Sequence, residues 1–189
     1  MTTRRSAAAL LALAVALFGL AGCTSGDRVD DTEGGVILSV TDFDGLPAQV
    51  SVNALGFPPL VTIDEIVIEN LPKDPNGVTS DLMNVEMQSY EVVYTRVDSG
   101  SREPTPLVRS IFGVAPINGT IVYENLPILG AEQLTNPPLE DLLVLNGGID
   151  SETGGRTISL ELRIRFFGRT LTGDDVATAP IRFDIEFVP

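Results

Sequence analysis

From Val36 to the end of the chain, apolar and polar residues fall into short runs cut by Gly, Pro, Asn and Asp. That punctuation predicts strands rather than helices. Val36 to Thr41 predicts a first strand, Gln49 to Asn53 a second and Leu60 to Glu69 a third. Val85 to Val97 is longer, with Tyr90, Val92 and Tyr94 on one face. Its apolar parity switches near Ser89, which predicts a bulge or a change of sheet. Leu107 to Val114 and Thr120 to Glu124 follow.

The strongest pattern is C-terminal. Ile158, Leu160, Leu162, Ile164 and Phe166 alternate with polar residues, and so do Ile181, Phe183, Ile185 and Phe187. A period of two over this length places one face on a core and the other in water. Such a face contributes about 1.5–3 kcal/mol per fully buried side chain. Between the two runs, Gly173-Asp174 suits a two-residue type II′ turn. That turn sets a register in which paired numbers sum to 347. Arg163 then faces Asp184, Ile164 faces Phe183, and Arg165 meets Arg182. Pro180 belongs at a bulge or on a non-bonded edge.

One segment departs from the strand pattern. Asn136-Pro137-Pro138 followed by Glu140 and Asp141 has helix-start chemistry, with Asn136 as cap. A short helical insertion near 137–144 is predicted, stopped by Gly147-Gly148. Ile66 to Pro72 is echoed by Ile121 to Pro127. Their flanks do not repeat, so two strands leaving through a similar turn explain the echo better than a duplication. The sum of these elements is an all-β fold, an antiparallel β-sandwich over residues 36–189.

The start of the chain carries neither period. Arg4 and Arg5 precede a charge-free run from Ala7 to Leu20. Its length falls short of the roughly 20 residues that cross a bilayer and fits the apolar region of a secretory signal. Leu20-Ala21-Gly22-Cys23 closes it. These four residues resemble the lipobox of bacterial lipoproteins. The resemblance implies removal of a signal peptide, residues 1–22, by cleavage between Gly22 and Cys23. It also implies acylation of Cys23 and no transmembrane helix. Two or three acyl chains hold a protein stably at a membrane where one does not. Thr24 rather than Asp after the Cys favours the outer membrane if the host is Gram-negative. Residues 23–35 are then a lipidated Cys and a polar, flexible tether, averaging roughly 20 Å in span. The central run Tyr90 to Arg96 and the Phe166-Phe167-Gly168 hairpin are similar to those of uncharacterised bacterial lipoproteins with an immunoglobulin-like domain. That likeness makes the sandwich immunoglobulin-like and implies no activity.

Charge changes the list of partners. All 26 acids but only 10 of the 12 bases follow Cys23, so the mature chain carries 10 − 26 = −16. Such a balance opposes nucleic acid and anionic lipid surfaces. The expected partners are the membrane, through the lipid, and another envelope protein.

Candidate chemistry is sparse. The chain has no His and only the one Cys, so no Ser-His-Asp or Cys-His site and no intramolecular disulfide can form. No catalytic residue, cofactor or metal is predicted, and the chain is read as no enzyme. Two acidic loops are candidate binding sites: Asp74, Asn76 and Asp81 in one, Asp150 and Glu152 in the other. Neither has the spacing of a twelve-residue calcium loop. The function expected is non-catalytic binding or structure at the envelope. One alternative is a carrier with an apolar cavity lined by Phe112, Phe166 and Phe183. A lesser one is a hydrolase built on two carboxylates in a cleft.

Overall fold

A computed structural model describes residues 35–56 and 59–189. The readings that concern Gly22, Cys23, the signal peptide and the tether to residue 34 lie outside the described residues. Two sheets face each other. The first has three strands in the order β1 (Val36–Asp44), β3 (Val61–Pro72), β7 (Gly119–Leu129). The second runs β2 (Gln49–Ser51), β10 (Ile181–Val188), β8 (Ile158–Thr170), β4 (Val85–Arg96), β5 (Leu107–Ser110). Two short strands join its ends: β6 (Val114–Ala115) on β4 and β9 (Asp175–Ala177) on β8.

This is the immunoglobulin-like arrangement, with strands one, three and seven in one layer and four, eight and ten in the other. Among the described residues, all pairings are antiparallel except one. Strand β2 runs parallel to β10, Gln49 beside Glu186 and Ser51 beside Val188, so the larger sheet is mixed at that edge. The sandwich is otherwise antiparallel, as expected.

One apolar core fills the space between the layers. Ile63, Ile66 and Ile68 of β3 meet Tyr90, Val92 and Tyr94 of β4 and the inward row Ile158 to Phe166 of β8. The parity switch in β4 is a bulge: Met87 pairs with Gly168 and Ser89 with Phe167, leaving Gln88 extra. A second bulge leaves Ile128 extra where β7 passes Val61 and Thr62. The hydroxyls of Tyr90 and Tyr94 reach across the sandwich to this point. They donate to the carbonyls of Pro127 and of Ile128, the latter at 2.7 Å. Carbonyls at the edge of the small sheet are thereby satisfied inside the protein, as buried backbone groups require.

The C-terminal hairpin keeps its faces and changes its partners. Gly173, at φ 103°, ends a three-residue loop closed by Gly173 N–H to the Thr170 carbonyl and Thr170 N–H to the Asp174 carbonyl. This is a type I turn with a glycine bulge, not the two-residue turn predicted. Pairs sum to 344 from Arg169–Asp175 to Phe167–Ala177, then to 345 from Ile164–Ile181 onward. The register slips once around Thr178 to Pro180; a bulge was one of the two places expected for Pro180, a non-bonded edge the other. Arg163 therefore faces Arg182, and Glu161 faces Asp184. The expected opposition of Arg163 and Asp184 is overturned.

The helical insertion is real but differently built. Helix α1 (Ala131–Leu134) precedes 3-10 turns at Leu139–Leu142 and Val144–Asn146. Asn136 does not cap the next turn; its amide donates back to the Glu132 carbonyl at 2.7 Å. Gly147, at φ 103°, ends the last turn as expected. The echoed segments prove to be neighbours, Val67 facing Val122. They play different parts, because Asn125 at φ 51° twists β7. Leu126 is buried while its counterpart Leu71 is exposed.

Candidate functional site: the two ends of the sandwich

Strand β4 gives the sandwich a direction. At its start, Val85 pairs with Thr170; at its end, Arg96 pairs with Leu160. Twelve residues of strand separate the two ends by roughly 35–40 Å. Gly35, where the described chain begins, accepts a hydrogen bond from the Lys73 amide at 3.0 Å and packs near Met83. It therefore lies at the end where β4 starts. We call this the base, and the opposite end the tip.

Asp74, Asn76 and Asp81 sit at the base, in an exposed loop. The Asp74 carboxylate accepts the Asn76 amide at 3.0 Å, and its carbonyl accepts the Gly77 amide at 3.0 Å. This is a self-contained Asx turn. Asp81 opens a 3-10 turn, Asp81–Met83, capped by the Ser80 hydroxyl. The three residues are explained by local turn chemistry. Among the described residues, no group of three or more His, Cys, Asp or Glu side chains is placed to hold a metal.

Asp150 and Glu152 are at the tip, and they are not a free loop. The Arg96 guanidinium donates two parallel bonds of 2.8 Å to Asp98 and one of 2.9 Å to Asp150. Arg102 donates to Asp141 at 2.8 Å and approaches Asp150 at 3.4 Å. Glu152 accepts from the Ser101 amide and hydroxyl and from the Arg102 amide at 3.0 Å. Asp98 also accepts the amides of Gly100 and Ser159. Two arginines and four acids thus pin together the β4–β5 loop, the 139–155 segment and the start of β8. Asp150 and Glu152, the second candidate binding loop, are engaged within the domain: Asp150 by both guanidinium groups, Glu152 by the Ser101 hydroxyl and the Ser101 and Arg102 amides.

The electrostatics follow from the contacts. Burial alone would raise the Asp150 carboxyl. Hydrogen bonds from Arg96, Thr153 and the Glu152 amide overcome it and hold Asp150 far below the ordinary carboxylate range. The Ser101 hydroxyl, then the Arg102 and Ser101 amides, bring Glu152 down to about 2. Asp98 and Asp141 are also lowered, burial being outweighed by their hydrogen bonds to Arg96 and to Ser151 and Arg102. All four acids are thus held toward their ionised form by these partners.

Beside this network the tip is apolar. A cleft of about 350 Å³ is lined by Val52, Asn53, Leu55, Gly56, Pro59, Leu134, Thr135 and Leu143. Asn53 stitches one wall to the other: its amide donates to the Leu142 carbonyl at 3.2 Å and its side-chain oxygen accepts the Val144 amide at 3.0 Å. Next to it, Val144 and Leu145 are 70% and 95% exposed, and Ile149 is also uncovered. The three phenylalanines expected to line a carrier's cavity are not brought together. Phe112 is 87% exposed, whereas Phe166 is fully buried between the rings of Tyr90 and Tyr123, and Phe183 lies against Phe43.

Sequence reasoning missed Arg96, Arg102, Asp98, Asp141 and the cleft. One signal was available: Arg96 continues the inward parity of Tyr90, Val92 and Tyr94. A charge on a buried face needs partners of opposite sign.

No protein-family model matches the chain, and no curated protein sequence is similar to it. Among solved structures, the solution structure of a late embryogenesis abundant (LEA) protein superposes with a TM-score of 0.43 and 12% identity, covering 96% of this chain and 83% of that one. A likeness of that degree carries no argument about binding or chemistry.

Proposed function

We propose that this protein is a lipoprotein of a bacterial cell envelope, anchored through Cys23 and facing away from the cytoplasm. Its immunoglobulin-like domain works by binding, not by catalysis. The lipobox residues Leu20 to Cys23 support the anchor. The observation that carries the binding role is the polarity of the domain. The described chain begins at the base, at Gly35 beside Lys73. The apolar cleft and the uncovered Val144, Leu145 and Ile149 lie at the other end. A domain attached through Gly35 leaves the opposite end open to a partner. Exposed apolar side chains around a cleft, next to a loop network fixed by ion pairs, suit recognition of another protein. The carboxylates clustered at the tip all engage arginine or backbone amides.

Two experiments test this. In cell fractionation, the natural chain partitions with membranes and Cys23→Ser is released; a Cys23→Ser protein that stays with the membrane would overturn the anchor. Proximity labelling from the anchored chain, followed by mass spectrometry, identifies envelope neighbours. Replacing Leu145 with Ser reduces their recovery, whereas replacing Val78 at the base does not. Equal loss from both would overturn the tip as the binding end.

A further inference from the structure

Each sheet has a last paired row at the base: Val36 with Pro72 in the small sheet, Val85 with Thr170 in the large one. Two loops extend beyond those rows and cap that end. The first, residues 73–84, touches Gly35 at both its ends. The Lys73 amide donates to the Gly35 carbonyl, and Met83 Cε lies 3.8 Å from where a Cβ on Gly35 would stand. The second is the turn after Thr170, bonded to the first because the Leu171 amide donates to the Asn84 carbonyl at 3.0 Å.

Both loops turn apolar side chains outward. Val78 is 97% exposed, Leu82 55% and Leu171 50%. Local structure gives Leu82 no reason to be apolar, since the Asp81–Met83 turn buries none of its residues. One row in from the end, Ile37 faces Leu71 on the outer side of the small sheet, and both are uncovered. Further along that face acids enter the rows: Glu69 lies between Ser39 and Thr120, and Glu65 between Asp44 and Glu124. What meets the apolar base follows from where the described chain begins. Residues 24–34 are all that separates Cys23 from Gly35. A chain of that length averages roughly 20 Å in span and reaches about 40 Å at most. Acyl groups on Cys23 therefore keep this end close to headgroups, at an effective concentration on the order of millimolar.

We propose that the base of the domain seats on the lipid surface, with Val78, Leu82 and Leu171 entering the interfacial layer and Ile37 and Leu71 at its margin. This rests on the reading of Cys23 as the anchor, and it adds a direct contact between protein and bilayer. Burial of the apolar side chains supplies the affinity, and tethering makes a weak contact sufficient. The capping loop carries one base, Lys73, against two acids, Asp74 and Asp81. The contact is therefore apolar and does not depend on anionic lipid.

The chain has no Trp, so one introduced by substitution reports its own surroundings. The acylated full chain carrying Val78→Trp, Leu82→Trp or, at the tip, Leu145→Trp is reconstituted in phosphatidylcholine vesicles with brominated acyl chains. Bromine quenches only a ring that enters the bilayer. The Val78→Trp and Leu82→Trp proteins shift to the blue and lose about half of their emission, as side chains about 5–10 Å into the interface should. The Leu145→Trp protein shows neither change. Val78→Ser with Leu171→Ser at least halves the quenching of Leu82→Trp, while flotation with vesicles and circular dichroism stay unchanged. Flotation without quenching at Val78 and Leu82 overturns the seat and leaves the anchor standing. Failure to float sinks the anchor and the seat together. A blue shift without quenching assigns the patch to a protein neighbour, such as a second copy, and overturns the proposal. Equal quenching at Leu145, or quenching that needs anionic lipid, overturns it too.

Discussion

Arg96 Nη2 lies 2.9 Å from Asp150 Oδ2, and the two side chains are 1% and 0% exposed. A pair so enclosed ties the end of β4 to a loop 54 residues further on. Removing one member leaves the other charge buried and alone, at a cost of about 3–5 kcal/mol. Asp150→Asn and Arg96→Met are each expected to lower stability by that order in urea unfolding. The double variant should cost less than the sum of the two, which a double-mutant cycle measures.

The network also sets a dependence on pH. Asp150 and Glu152 have folded values held below their ordinary ones, so both bind protons more readily when unfolded. Their contribution is fully present above the ordinary carboxylate range, and it is lost as pH falls through the folded values. For Glu152 that window runs from 4.5 down to about 2, and for Asp150 it extends lower. The urea midpoint is expected to drop steadily below pH 4.5, and to drop less in Arg96→Met.

Gly100 packs so closely on Arg96 that a Cβ there would collide with the guanidinium carbon. The guanidinium cannot retreat without breaking its bonds to Asp98 and Asp150. Gly100→Ala is expected to destabilise by about 1–3 kcal/mol. Gly56→Ala, where nothing lies within 4 Å of the new methyl, should change the thermal midpoint little.

The tyrosines that cross the sandwich give an alkaline signature. Burial raises Tyr90 to about 12 and Tyr94 higher still, with Tyr90 adding to the rise at Tyr94. A raised folded value means that the stability they contribute is complete below pH 10 and is lost as pH climbs through about 12. Ultraviolet titration should show tyrosine ionisation coinciding with unfolding. Tyr94→Phe deprives the Ile128 carbonyl of its donor and is expected to cost about 1–2 kcal/mol.

Leu145, 95% exposed, touches almost nothing within the domain. Leu145→Ser should leave stability within about 0.5 kcal/mol of the natural chain. Reduced recovery of labelled neighbours then reports binding, not unfolding.

Much of the fold was legible because strand parity is a local property. Ile158 to Phe166 and Ile181 to Phe187 declare their faces without reference to any partner. The bulge at Gln88 was visible in the same way, as a break in parity before Tyr90. Register was not legible. A slip of two residues leaves every side chain on its own face, so the sums 347 and 345 bury the same residues. Only the turn chemistry separates them, and Gly173 serves a three-residue loop as well as a two-residue one. The tip was opaque for a related reason. Arg96, Asp141 and Asp150 are far apart in sequence, and only sheet order brings them together. The acids at 74 and 150 looked alike as loops; one closes on its own backbone and the other on two guanidinium groups.

The bond between Lys73 and Gly35 has a mechanical corollary. A partner gripping the tip while the tether holds Gly35 would stretch the domain lengthwise. Hydrogen bonds between β1 and β3 stand across that line of force, so they share the load as a row instead of opening one after another. Pulled between Gly35 and the tip, the domain is thereby built to carry a load along its length before it yields.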